Sequence, residues 1–446
     1  MRRAVTAILR LLIRIFFKRI DIVDMERVPD APVIFAVNHP NALIDPLFLL
    51  CFAPRPVSFL AKAPLFTMPV IGWIVRGLDS IPVYRKQDNV PGGSNEETFA
   101  RARAVLARGG AIAIFPEGTT HSDPRLRELK TGAARIALGA AMERIAIVPT
   151  GLYYTSKQTF RSSAVMQFGE PIVLHGGQAL MPVPSEVDSL TQRIDDALDA
   201  VTLQADSHDA LDLIARGERI FSAGRFDPAE ELEARRRFVE GYAWLRAHDP
   251  QQLARLQSRV EQFAAELGDA NIEPQELPGP RFRASVKTLS MLLVALPLAL
   301  VGGVIHFPAY QLVAFIALRF VKDQEMVATI KAIAGAVFYL LTWIAVAALA
   351  WWRLGPRWAL AAIVVVPFVG WVALRFFEQL DDVIGRTRAL TWRLARRRAY
   401  DRLRNEQRAI RAEIEALAEV IARADRGADS PAAATTRSPS ESAPRR

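Results

Sequence analysis

Three apolar segments in the last third of the chain constrain its fold most. Residues 332–352 form an unbroken run, and residues 358–377 form a second with Pro367 inside it. Residues 288–320 are longer but carry Pro297, Gly302, Gly303 and Pro308. A helix of about 20 apolar residues spans the hydrocarbon of a bilayer, whereas a helix on a soluble core keeps a polar face. The second and third segments therefore predict a spanning hairpin. Cations gather beside the other ends: Arg281, Arg283 and Lys287 before the first segment, Arg319, Lys322 and Lys331 after it, and Arg375, Arg386, Arg388 and Arg393 after the third. The link between the second and third holds only Arg353 and Arg357, amid Trp351, Trp352 and Trp358. Positive residues favour the cytoplasmic side, and tryptophans favour the interface. An even number of crossings satisfies this pattern. Residues 288–320 are then expected to enter and return, broken near Gly302, Gly303 and Pro308, with the N-terminal domain and the tail both cytoplasmic.

Composition agrees with a membrane portion: 51% of the 446 residues are hydrophobic. The single cysteine, Cys51, allows neither an internal disulfide nor a thiolate metal cluster, which points to an intracellular or cytoplasm-facing chain. Residues 1–20 carry six cations and no acid, and residues 386–446 carry 15 arginines against 8 acids. These ends exceed the net +9 of the whole chain, so the middle is acidic. Basic ends suit an anionic membrane surface. Nucleic acid is the rival partner, but no aromatic-interleaved binding motif accompanies the patches.

The rest divides by pattern. Residues 1–25 predict an amphipathic interfacial helix, too short and too charged to span and without a cleavage site. Residues 26–184 predict an α/β domain with a mostly parallel sheet flanked by helices. Apolar runs at 33–37, 57–60, 81–84, 111–115 and 145–148 alternate with helical patterns at 96–107 and 131–142. Residues 185–272 read as a helical region and 273–287 as a Pro-containing linker. A membrane region follows over 288–377, then a basic helix over 378–426 and a disordered tail over 427–446.

Chemistry concentrates at the strand ends of the α/β domain. The run 38–46, Asn-His-Pro-Asn-Ala-Leu-Ile-Asp-Pro, directly follows the first apolar run. Ligands of open α/β sheets bind just past the carboxyl ends of strands. There a histidine can serve as a neutral base, and a neighbouring carboxylate can fix its tautomer. A second block, Phe115-Pro116-Glu117-Gly118-Thr119-Thr120, combines a glycine with polar groups. A third, 81–86, brings Arg85 and Lys86 to a strand end, as a phosphate site requires. The fourth, Val148-Pro149-Thr150-Gly151, reads as a strand running into a turn.

These four blocks, in this order over residues 30–175, resemble the glycerol-3-phosphate and lysophosphatidate acyltransferase superfamily. The family pattern places four residues between the histidine and the aspartate; here five separate His39 from Asp45. One residue inserted in a helix would turn the aspartate by about 100°. The longer spacing, with Asn41 two after the histidine and Pro46 after the aspartate, resembles a branch that includes fungal glycerol-3-phosphate and dihydroxyacetone-phosphate acyltransferases. Members similar to that branch also carry C-terminal membrane segments. The resemblance implies His39 as general base and Asp45 as its orienting partner. It implies Arg85 on the acceptor's phosphate, Glu117 and Gly118 on the acceptor side, Pro149 on the donor side and Lys130 as a basic site residue. Arg76, Lys86 and Thr119 are weaker candidates.

A glycerol hydroxyl needs a base to remove its proton, whereas a thioester is already a reactive acyl donor. No covalent acyl-enzyme is required, in keeping with the absence of a Gly-x-Ser-x-Gly elbow from the sequence. No cofactor is expected beyond acyl-CoA or acyl carrier protein as co-substrate. No metal is expected, since no His, Cys and carboxylate cluster has ligand spacing. His121, His175, His208, His248 and His306 read as structural or surface residues. The expected activity is acyl transfer to glycerol-3-phosphate or a related glycerol phosphate in phospholipid biosynthesis. Acylation of lysophosphatidate, phospholipid transacylation and a non-catalytic membrane scaffold are the alternatives.

Overall fold

The computed structural model describes residues 2–68, 71–84, 95–175, 183–223, 227–277, 286–320 and 324–428. Two units emerge. The first comprises residues 1–211, 226–233 and 283–384, and the second residues 212–225, 234–282 and 385–446.

The first unit opens with α1 (Arg2–Phe16), which buries Ile13 and Phe16 and leaves Ile8, Leu11 and Ile15 exposed. The helix expected over residues 1–25 ends there, because the chain turns into β1 (Arg19–Val23). There follow β2 (Val33–Val37), α2 (Ile44–Phe52), β3 (Val57–Lys62), α3 (Ile71–Gly77), β4 (Ile81–Val83), α4 (Asn95–Ala107) and β5 (Ala111–Ile114). After them come α5 (Gly132–Leu138), β6 (Arg144–Tyr154), β7 (Ser163–Phe168), β8 (Ile172–His175) and α6 (Pro184–Asp199). The sheet order is β1-β7-β6-β2-β5-β3-β4, with β8 pairing β6. Pairings among β2, β3, β4, β5 and β6 are parallel; β7 and β8 join β6 antiparallel.

Strand β2 explains why both faces of this sheet are covered. Its five residues are all buried. Alternate side chains point to opposite faces. Val33, Phe35 and Val37 pack with Phe17, Phe48 and Leu49 on the side of α1 and α2. Ile34 and Ala36 pack with Leu106, Ile136 and Ile194 of α4, α5 and α6. Helix α6, expected to open a separate helical region, is thus part of the α/β core: it buries Val187, Leu190, Ile194 and Leu198.

The fourth sequence block lies inside β6 and not in a turn after it. Pro149 cannot donate to a ladder, which ordinarily excludes it from a central strand. It sits where one edge of β6 passes from β8, which pairs through Ile147, to β7, which pairs from Thr150. Gly151 has a different reason: a Cβ there would lie 1.8 Å from the Val201 carbonyl oxygen.

The remaining helices are α7 (His208–Ser222), α8 (Pro228–His248), α9 (Pro250–Ala270), α10 (Val286–Phe320), α11 (Gln324–Leu354), α12 (Pro356–Ala395) and α13 (Arg397–Ala428). In the second unit Val260 and Phe263 of α9 pack with Leu403 and Ile410 of α13. Arg259 ties the same two helices through Glu406 and Glu413. The linker expected over 273–287 is described only in part, and residues 429–446 of the expected tail lie outside the described residues.

Helices α10, α11 and α12 are each long and apolar enough to cross a membrane. The break expected within residues 288–320 is absent: α10 is one helix with Pro297 and Pro308 inside it. A Cβ on Gly302 would lie 2.1 Å from the Val369 carbonyl oxygen of α12, so the glycine serves close helix packing. His306 accepts a hydrogen bond at Nε2 from the Trp343 indole of α11 (2.9 Å) and donates from Nδ1 to the Gly302 carbonyl (2.8 Å).

Both α11 and α12 make contact with the α/β domain. Ala328, near the start of α11, is buried in the core that includes Phe17 and Phe48, and Lys331 donates to the Gln158 carbonyl (2.8 Å). Glu378, far along α12, pairs with Arg161, whose guanidinium also reaches the carbonyls of Arg14, Ile15 and Phe17 at the end of α1.

Candidate active site

The carboxyl end of β2 carries the histidine expected to be the base. Asn38 locks the strand end in place: its amide donates to the Leu152 carbonyl (3.1 Å) and its oxygen accepts from the Leu152 N–H (2.7 Å). His39 follows, with Nδ1 at 2.8 Å from Asp45 Oδ2. The extra residue between them does not turn Asp45 away, because it is absorbed before the helix begins. Ala42 takes a positive φ of 36°, the Asn41 carbonyl receives the Ile44 N–H (2.9 Å), and α2 starts only at Ile44.

Asp45 is fully buried, so its charge must be met by donors. Oδ2 accepts from the Asn41 N–H (2.7 Å) as well as from His39, and Oδ1 accepts from the Tyr154 hydroxyl (2.7 Å). A carboxylate accepts only, so the proton between the pair sits on His39 Nδ1. The Nε2 lone pair is thereby left for a proton from elsewhere. The imidazole stacks on Phe115 at 4.2 Å between ring centroids, and 15% of the side chain remains accessible. Burial, and then the Asp45 carboxylate, push the Tyr154 hydroxyl well above the ordinary tyrosine value, so it remains a donor.

The Phe115–Gly118 turn lies beside this loop. Gly118 has φ of 72°, which favours glycine, and donates its N–H to the Phe115 carbonyl (3.0 Å). Lys130 donates its backbone N–H to Pro116 (2.7 Å), and its Cγ lies 3.5 Å from where a Gly118 Cβ would stand. Gly118, Thr119 and Lys130 are thus neighbours on one rim. Glu117 differs from the expectation of a substrate contact: its carboxylate is fully buried and accepts from the His39 N–H (2.9 Å), the Arg127 N–H (3.2 Å) and His121.

Pro149 lies buried in β6 opposite Ala36, one residue before the end of the register shared with β2. Arg85 and Lys86 fall outside the described residues. Arg76 lies away from His39. It lines a cleft of about 690 Å³ with Arg101 and Arg108 at the opening ends of β3, β4 and β5, the opposite ends of the strands from the histidine. Cys51 is buried, which pushes its thiol up to about 11, so it is no nucleophile at neutral pH.

Sequence reasoning missed Tyr154 and His121. Tyr154 lies 109 residues from the aspartate it serves, and no local pattern marks that pairing. His121 did carry a signal: it stands four residues after Glu117, directly after the block.

Residues 19–153 match the family model described as Acyltransferase. The chain is 32% identical over 192 residues to glycerol-3-phosphate O-acyltransferase 2 of Saccharomyces cerevisiae, covering 41% of this chain and 26% of that protein. It is 24% identical over 428 residues to an uncharacterized acyltransferase of Schizosaccharomyces pombe, covering 73% and 62%. It is 29% identical over 171 residues to the chloroplastic 1-acyl-sn-glycerol-3-phosphate acyltransferase LPAT1 of Arabidopsis thaliana, covering 36% and 46%. The chain spans less than two thirds of the length of each of these relatives.

Proposed function

We propose that this chain, whose residues 19–153 belong to the acyltransferase family, is a membrane-bound O-acyltransferase. It moves a fatty acyl group from acyl-CoA or acyl carrier protein to a hydroxyl of glycerol-3-phosphate or a related glycerol phosphate. The observation that carries the reading is the His39–Asp45 couple at the end of β2, with Nδ1 committed to the carboxylate and Nε2 left to accept a proton. Nε2 takes the acceptor's hydroxyl proton as the oxygen attacks the thioester carbonyl. The C–S bond then breaks, and the departing thiolate takes a proton. Buried Asp45 stabilises the imidazolium formed in between.

Arg85 is assigned to the acceptor's phosphate, with Gly118, Thr119 and Lys130 on the same side and Pro149 behind the donor. The three apolar helices support a membrane setting. The exposed Ile8, Leu11 and Ile15 of α1 would rest on the lipid surface, with the α/β domain facing the cytoplasm. Such a position lets the lipid product leave without crossing water, which would cost about 0.8 kcal/mol per methylene.

The test is product identification. Purified protein in detergent receives labelled acyl-CoA and a panel of glycerol-3-phosphate, dihydroxyacetone phosphate and lysophosphatidate. A labelled monoacyl product from the first or second acceptor supports the reading. Label only in phosphatidate reassigns the chain to lysophosphatidate acylation, and label in no product overturns the enzyme reading.

A further inference from the structure

We infer that Glu117 and His121 form a second histidine–carboxylate couple that does no chemistry itself and instead fixes the position of His39; this rests on His39 being the base. Their contacts close on the backbone of that one residue from both sides. Glu117 Oε1 accepts the His39 N–H (2.9 Å), and the His121 N–H donates to the His39 carbonyl (3.3 Å). The peptide groups on both sides of the base are therefore held by the 117–121 segment.

The ring of His121 completes the clamp. The Asp123 N–H donates to its Nδ1 (3.1 Å), so the ring proton belongs on Nε2, which faces Glu117 Oε2. One neutral tautomer thus satisfies both ring nitrogens. The second oxygen of Glu117 also takes the Arg127 N–H (3.2 Å). Glu117 is fully buried and His121 nearly so, and a buried carboxylate keeps one orientation only while its donors are in place. Removing the imidazole leaves Glu117 Oε2 with the Arg127 N–H alone, and so loosens the carboxylate that holds the backbone of His39.

A base displaced by about 1 Å costs on the order of 100-fold in rate without removing any substrate contact. His121→Ala should therefore lower kcat by roughly 10- to 100-fold and leave KM for both substrates within about twofold. His121→Gln keeps a donor where Nε2 stood and should recover most of the rate. His121→Asn reaches only the Nδ1 position and should not.

The second readout does not depend on activity. In full-length protein labelled with 15N-histidine, the His39 ring signals are identified by their loss in His39→Ala. Wild type and His121→Gln should show the Nδ1–H pattern, whereas His121→Ala and His121→Asn should show averaging between tautomers. Equal activity in all three His121 variants, or a loss confined to KM, would overturn the inference. So would unchanged His39 signals in His121→Ala. If that variant does not fold, the comparison of Gln with Asn decides by the same two readouts. Should wild type acylate no acceptor, the functional reading fails, while the ring signals still report whether His121 holds His39.

Discussion

At the scale of single residues, the site rests on a buried carboxylate with three donors. His39→Ala should lower acyl transfer by about 10²- to 10⁴-fold, the usual contribution of a general base, with expression and membrane insertion unchanged. Asp45→Asn should lose much of the rate too, because an amide cannot stabilise the imidazolium. Near-normal turnover in His39→Ala would remove the base assignment. Tyr154→Phe takes away one donor of the three and should slow kcat about tenfold, equal to roughly 1.4 kcal/mol. The raised Tyr154 value gives that loss a distinctive pH behaviour. Stability from a raised group is complete below its ordinary value, near pH 10 for tyrosine, and vanishes only as pH rises through the folded value. The wild-type to Tyr154→Phe rate ratio should thus be flat from about pH 6 to 9; a slope in that window would show that the hydroxyl titrates. Arg85→Ala should raise KM for the phosphorylated acceptor more than KM for the thioester. Steady-state kinetics with each substrate varied would check it, and an effect on the donor alone would reassign the residue.

At the scale of elements, glycine placement in α10 explains why one helix survives where a break was expected. Gly302 lies against the backbone of α12, with its missing Cβ 2.1 Å from Val369 O and 3.1 Å from Ala373 Cβ. The neighbouring Gly303 has room: a Cβ there would meet only the Phe377 ring at 3.5 Å. Gly302→Ala should cost about 1–3 kcal/mol by overpacking, seen as a lower thermal midpoint in detergent. Gly303→Ala should be close to neutral. Equal melting of the two variants would mean that α10 and α12 do not meet closely at Gly302.

At the scale of the whole molecule, α11 and α12 leave and return to the same side of the α/β domain. Lys331 touches that domain near the start of α11, and Glu378 touches it toward the end of α12. From each contact to the α11–α12 junction at Gly355 the helices run about 33–35 Å at 1.5 Å per residue, enough for a hydrocarbon layer of about 30 Å. The junction should therefore lie across the membrane from the active site. Single cysteines at Leu354, at Arg108 on the α/β domain and at Ser440 in the tail, in a Cys51→Ala background, would test this in sealed vesicles. An impermeant thiol reagent should reach Arg108→Cys and Ser440→Cys from one side and Leu354→Cys only from the other. Labelling of Leu354→Cys and Arg108→Cys from the same side would sink the hairpin.

What the sequence determined by itself was whatever depends on neighbours along the chain. A short unbroken apolar run marks β2, and a long one marks α11. A histidine and an aspartate six residues apart, just past a strand, mark the His39–Asp45 pair because the short loop cannot separate them far. Strand β1 escaped notice because its charged Arg19 and Asp21 suit a sheet edge and blur the apolar signal. Only the tertiary structure could decide what depends on distant residues meeting. It brought Tyr154 to Asp45 and Glu117 to His39, and it placed Pro149 where β6 passes from one partner strand to the next. The physical reason is that these contacts follow from the order of strands in the sheet. Local propensity sets each strand, but which strands lie side by side is set by packing both faces of the sheet at once.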